Sequence, residues 1–68
     1  MKLYFQASNG NERLIAEVEN GDEAMKEIKE FCFERNFNIP YVRCWGSLED
    51  DGIWYDCGSW YEYFCLRK

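Results

Sequence analysis

Apolar and polar positions alternate with a period of two through residues 2–8 and again through 11–19. That is the period of a half-buried β-strand. Between the two runs stands Ser8-Asn9-Gly10-Asn11, and Asn-Gly in that setting predicts a two-residue type I′ hairpin turn, which needs positive φ at both central positions. With Asn9-Gly10 as the turn, Phe5 falls opposite Leu14 and Leu3 opposite Ala16. Tyr4 then meets Ile15, Lys2 meets Glu17 and Gln6 meets Arg13. This register predicts a core face of Leu3, Phe5, Leu14, Ala16 and Val18, with Lys2 and Glu17 matched in charge.

The period changes over residues 20–37, where Ala24, Met25, Ile28, Phe31 and Cys32 recur at three- and four-residue steps. Such spacing predicts one amphipathic helix. Asn20 followed by Glu23 matches a capping box, with Asp22 a competing cap, and Asp22 and Glu23 suit the positive end of the helix dipole. Glu23, Lys26, Glu27, Lys29, Glu30 and Glu34 form the solvent side, and Phe33, off the stripe, is expected to pack at an edge. Asn36-Phe37-Asn38 and Pro40 end the helix, since the residue before a proline avoids helical angles.

Residues 41–45, 52–57 and 60–67 are rich in aromatic and β-forming types and predict three more strands. Gly46 to Gly52 forms a polar loop, and Gly58-Ser59 a tight turn. The resulting expectation is one α+β domain over residues 1–68, ordered ββαβββ, with an antiparallel sheet and the helix packed on one face.

Pairing Cys57 with Trp60 and Trp45 with Ile53 sorts these strands into two faces. Val42, Cys44, Trp54, Asp56, Tyr61, Tyr63 and Cys65 fall on one. Tyr41, Arg43, Trp45, Ile53, Tyr55, Cys57, Trp60, Glu62, Phe64 and Leu66 fall on the other. Both are substantially apolar, yet one helix covers only one, and a one-residue slip would exchange them. The face of Val42, Cys44, Trp54 and Cys65 is favoured as core, because small thiols beside a large ring pack closely. Arg43, Trp45, Tyr55, Trp60, Glu62 and Phe64 then form the expected interaction surface, since aromatic and arginine residues on a flat sheet resemble an interface hot spot. A strongly curled sheet whose rings cover one another is the competing structural reading, and a small-molecule site is a third.

Composition narrows the chemistry. Three Trp, five Tyr and five Phe in 68 residues are many, and large rings help a chain this short fill its core. Thirteen acidic against eight basic residues give a net charge of −5, which disfavours nucleic acid and anionic membranes as partners. No histidine is present, so nucleophile–histidine arrangements are excluded. Glu49-Asp50-Asp51 lacks the ligand spacing of a calcium loop and reads as a solvated turn. Asp56 and Glu62 point to opposite faces in this register. Asp56 is expected to accept hydrogen bonds from Tyr61 or a backbone group, and Glu62 to pair with Arg43.

Met1-Lys2 leads straight into alternating residues rather than an apolar signal stretch. A cytoplasmic protein is expected, with Cys32, Cys44, Cys57 and Cys65 as buried structural thiols. Disulfide and metal readings rank below that, the spacing having no close cysteine pair. No cofactor is called for.

Ser8-Asn9-Gly10, Arg13-Leu14-Ile15-Ala16-Glu17-Val18 and Asp56-Cys57-Gly58-Ser59-Trp60-Tyr61-Glu62-Tyr63-Phe64 together carry a resemblance. The chain resembles, over nearly its whole length, a family of small uncharacterised proteins of Gram-positive bacteria and their phages. These commonly end in an Asp-x-Gly-Ser-His-x-Glu-Phe-Phe-like segment. Trp60 stands where that family has histidine, so no role of the histidine transfers. Ser59 and Glu62 match, without an attached activity. The resemblance implies an intracellular accessory protein. The expected function is a non-enzymatic protein-interaction module, including a phage-derived modulator of a host protein. The alternative is a homo-oligomer built through the same surface.

Overall fold

The computed structural model describes residues 1–35, 43–50, 52–56 and 62–68. Its elements are β1 (Lys2–Gln6), β2 (Glu12–Glu17), α1 (Gly21–Glu34), β3 (Arg43–Ser47), β4 (Gly52–Asp56) and β5 (Tyr63–Arg67). The five strands make one antiparallel sheet in the order β2-β1-β5-β4-β3 with the helix packed on it, which is the expected ββαβββ architecture. The last strand enters the middle of the sheet and joins the N-terminal hairpin to the β3–β4 hairpin. Predicted features at Asn36 to Val42 and Cys57 to Tyr61, including the Gly58-Ser59 turn and the Cys57–Trp60 pairing, lie outside the described residues.

The first hairpin differs from expectation by one residue. Gly10 N–H donates to Ala7 C=O (2.9 Å) and Ala7 N–H to Asn11 C=O (2.9 Å), so the loop has three residues, Ser8-Asn9-Gly10. Gly10 takes φ +88°, where glycine has no Cβ to clash. The Asn9 side chain accepts from Asn11 N–H at 3.0 Å and fixes the loop from within. The longer loop pairs Tyr4 with Leu14, Phe5 with Arg13 and Gln6 with Glu12. A bulge between Leu3 and Tyr4 then restores Leu3–Ala16 and Lys2–Glu17. Leu14, expected in the core, therefore points to the other face and is 47% exposed. Ile15, at the bulge, packs against the core instead.

The helix follows its sequence signals. Asn20 is the N-cap and its side chain accepts from Glu23 N–H at 2.9 Å, while the Glu23 carboxylate accepts from Glu19 N–H at 2.6 Å. Ala24, Ile28 and Cys32 are buried, and Met25 and Phe31 pack beside them. Phe33, rather than packing at an edge, is 82% exposed, because its position falls a third of a turn from the stripe. Among the described residues no helix is long and apolar enough to cross a membrane.

The core lies between α1 and the face carrying Leu3, Phe5, Tyr55, Phe64 and Leu66. Phe5, Phe31 and Phe64 form a ring cluster with centroids 4.8 to 5.5 Å apart, two contacts tilted and one edge-on. Such pairs add stabilisation beyond their buried area. This corrects the favoured choice of core face: the helix meets the Tyr55–Phe64–Leu66 face, not that of Trp54 and Cys65. The reason is β1. It pairs Leu3 with Leu66 and Phe5 with Phe64, so the apolar side of the first hairpin selects which side of β5 is inside.

Candidate interaction surface

Registers across four strand pairs place Leu14, Tyr4, Cys65, Trp54 and Trp45 in one row, on the face turned away from the helix. The row crosses every strand of the sheet in spatial order. Its two ends, Leu14 and Trp45, are each 47% exposed, while Cys65 at its centre is fully buried. At about 4.8 Å per strand the row is roughly 19 Å long.

Arg67 closes the middle of this face. Its guanidinium carbon lies 5.3 Å from the Tyr4 ring centre and 5.6 Å from that of Trp54, and Nη1 meets Glu12 Oε2 at 2.5 Å. A cation over two rings is favourable. Gly52 leaves the room: at φ +116°, an added Cβ would sit 2.9 Å from Cys65 Sγ and 2.7 Å from Leu66 O.

Toward the β3 edge, Trp45 and Tyr63 meet edge-on with centroids 6.0 Å apart. Arg43 is ion-paired with Asp56, its cross-strand neighbour. The Asp56 side chain is buried and that of Arg43 is mostly exposed. The burial of a carboxylate is tolerable because the guanidinium neutralises it. Arg43 was expected to pair with Glu62. The β3–β4 register explains the change: Trp45 faces Trp54 and Gly46 faces Ile53, one residue from the expected Trp45–Ile53 pair, which turns the whole of β3 over.

That slip divides the six expected surface residues. Arg43 and Trp45 lie on the open face, exposed. Tyr55 and Phe64 are core residues, 4% and 2% exposed, and belong to no outer surface. Glu62 is half-buried just before β5, and Trp60 lies outside the described residues. Tyr4, Leu14, Trp54, Tyr63 and Arg67 complete the face; the hairpin reading turned Tyr4 away from the core, while Leu14, Trp54, Tyr63 and Arg67 were not expected there. Their signal was present in the alternation of β1 and β5, but it could be used only with the correct parity.

Cys44 shares the helix side of the sheet with Tyr55, its cross-strand partner, yet is exposed rather than buried, so the expected burial of its thiol is corrected. Cys32 and Cys65 are buried, as expected. Burial, with a further contribution from Cys44, pushes the Tyr55 phenol above its ordinary value. Among the described residues no three Cys, Asp or Glu side chains are grouped to hold a metal ion.

The fold and this surface define an α+β domain with a helix on one sheet face and an apolar row on the other. Comparison with protein-family models, curated proteins and solved structures gave no match.

Proposed function

We propose that the chain is a non-enzymatic protein-interaction module that docks a partner protein on its open sheet face, with Trp45 as the anchor. One observation carries the reading: an apolar row spans all five strands and ends in two large side chains, Leu14 and Trp45, each about half exposed. Tryptophan and arginine dominate interface hot spots, and Arg43 stands exposed on the same edge strand as Trp45. Five strands of five or six residues give a face of roughly 19 by 17 Å. That size suits a weak, transient contact better than an obligate dimer, which buries on the order of 2,000 Å² or more. A net charge of −5 speeds encounter with a basic partner. The likeness of the closing segment to small Gram-positive and phage proteins supports a cytoplasmic accessory role, phage-derived modulation of a host protein included.

The test compares wild type with Trp45→Glu and Leu14→Glu, using Lys29→Glu on the exposed side of the helix as control. Each is immobilised in host lysate after its fold is checked by circular dichroism. A single protein retained by wild type and the control, lost from both face variants, and binding in purified form supports the reading. Retention indifferent to both face substitutions refutes it. So does a stable wild-type dimer in sedimentation that Trp45→Glu dissociates, which would assign the face to self-association.

A further inference from the structure

At the opposite edge of the sheet, on the helix side, two guanidinium groups converge on one ring. The Arg35 guanidinium carbon is 4.6 Å from the centre of Phe31 and 5.8 Å from that of Phe5, and the Arg13 carbon is 5.7 Å from Phe31. Their backbones are fixed independently. Arg13 is paired with Phe5 in the sheet, and Arg35 is the helix C-cap, its N–H reaching Phe31 C=O and Cys32 C=O. Between them opens a shallow depression of about 280 Å³, lined by Phe5, Ala7, Asn9, Asn11, Glu12 and both arginines.

The charges are arranged unusually for so acidic a chain. Thirteen carboxylates are available, yet among the described residues the two ion pairs are Arg43–Asp56 and Arg67–Glu12. Glu12, the one carboxylate in the lining, is thus held by Arg67. Two like charges beside one ring repel each other, and an anion between them would offset that repulsion. Each guanidinium presents a planar fork of N–H donors that matches a carboxylate or phosphate. Asn9 spends its side-chain oxygen on Asn11 N–H, which leaves its NH₂ as a further donor. The floor of Phe5 and Ala7 suits an apolar body attached to the anion. The volume lies just below the usual range of ligand pockets, roughly 300–1,000 Å³, and suits only a small molecule.

We propose that this depression binds a small oxyanion ligand, a carboxylate or phosphate, clamped between Arg13 and Arg35. The site is independent of the docking row, since Arg13 and Leu14 point to opposite faces of β2.

The experiment titrates the ¹⁵N-labelled protein with inorganic phosphate, with benzoate, and with chloride at matched ionic strength, following the arginine Nε–Hε signals by NMR. Saturable shifts of Arg13 and Arg35 in the phosphate or the benzoate series, absent with chloride, are expected, and the series that saturates identifies the anion. Arg13→Gln and Arg35→Gln keep most of the side-chain stem and should each weaken binding by about tenfold or more, the loss expected for charge-assisted hydrogen bonds. Trp45→Glu should leave the titration unchanged, which separates this site from the docking face. Shifts reproduced by chloride, saturation in neither oxyanion series, or binding that survives both glutamine variants overturns the proposal. The wild-type titration decides even if one variant does not fold.

Discussion

Leu3 and Leu14 are the same residue type on neighbouring strands, and a two-residue turn would put both in the core. The three-residue loop separates them. Leu3 is fully buried, whereas Leu14 is 47% exposed on the open face. Truncating a buried leucine to alanine removes its transfer free energy and leaves a cavity, about 3 kcal/mol or more. Full burial of a leucine side chain is worth roughly 1.5–3 kcal/mol. About half of that applies at Leu14, part of it survives in the alanine Cβ, and no closed cavity forms. Leu14→Ala should therefore cost about 0.5–1 kcal/mol, some 2 kcal/mol less than Leu3→Ala. In a domain this size each kcal/mol moves the midpoint by roughly 4–8 °C. The total margin of such a domain is on the order of 3–5 kcal/mol. Urea and thermal unfolding followed by far-ultraviolet circular dichroism should find Leu14→Ala cooperatively folded and Leu3→Ala close to or past the limit of folding. Leu14→Lys should also fold, because its ammonium reaches water. Equal losses for the two alanine variants, or an unfolded Leu14→Lys, would refute the three-residue loop and the placement of Leu14 on the open face.

Asn20→Ala removes the acceptor of Glu23 N–H and should cost about 1 kcal/mol in urea unfolding, with Asn20→Ser recovering most of it. Gly52→Ala and Gly10→Ala test backbone against space: both have positive φ, but an added Cβ meets Leu66 O and Cys65 Sγ only at Gly52. Gly10→Ala should lose about 1 kcal/mol and Gly52→Ala clearly more, read as unfolding midpoints. The phenol of Tyr55 is raised above its ordinary value of 10.0 by burial first and Cys44 second. The folded state thus keeps the proton that the unfolded chain releases. This stabilisation is complete below pH 10 and is lost as pH rises through the raised folded value. Denaturation midpoints should fall more steeply above pH 10 for wild type than for Tyr55→Phe; parallel curves would contradict the assignment.

Much of the fold was legible because it depends on neighbours in sequence. The Asn20–Glu23 cap, the stripe of Ala24, Ile28 and Cys32, and the alternation of β1 each follow from spacing within a few residues. The candidate surface was legible only in part. Arg43 and Trp45 were found, but Tyr55 and Phe64 were grouped with them because strand parity was wrong in β3. Ser8-Asn9-Gly10 shows why such errors arise. Gly10 supplies positive φ for a two- or a three-residue loop alike, and the Ala7–Asn11 closing pair alone distinguishes them.

The sequence by itself determined the elements, their order and the helix's buried stripe, since local sterics, capping and periodicity act over a few residues. Which face of the strands is inside was decided by the tertiary structure. Both sides of β4 and β5 are apolar enough to be core, so burial alone does not choose between them. The choice falls to β1, which pairs with β5 from the far end of the chain and sets Leu3 and Phe5 beside Leu66 and Phe64. Trp54, Cys65 and Trp45 are thereby turned outward with Leu14 and Tyr4, and the row proposed to meet a partner is a product of that one long-range register.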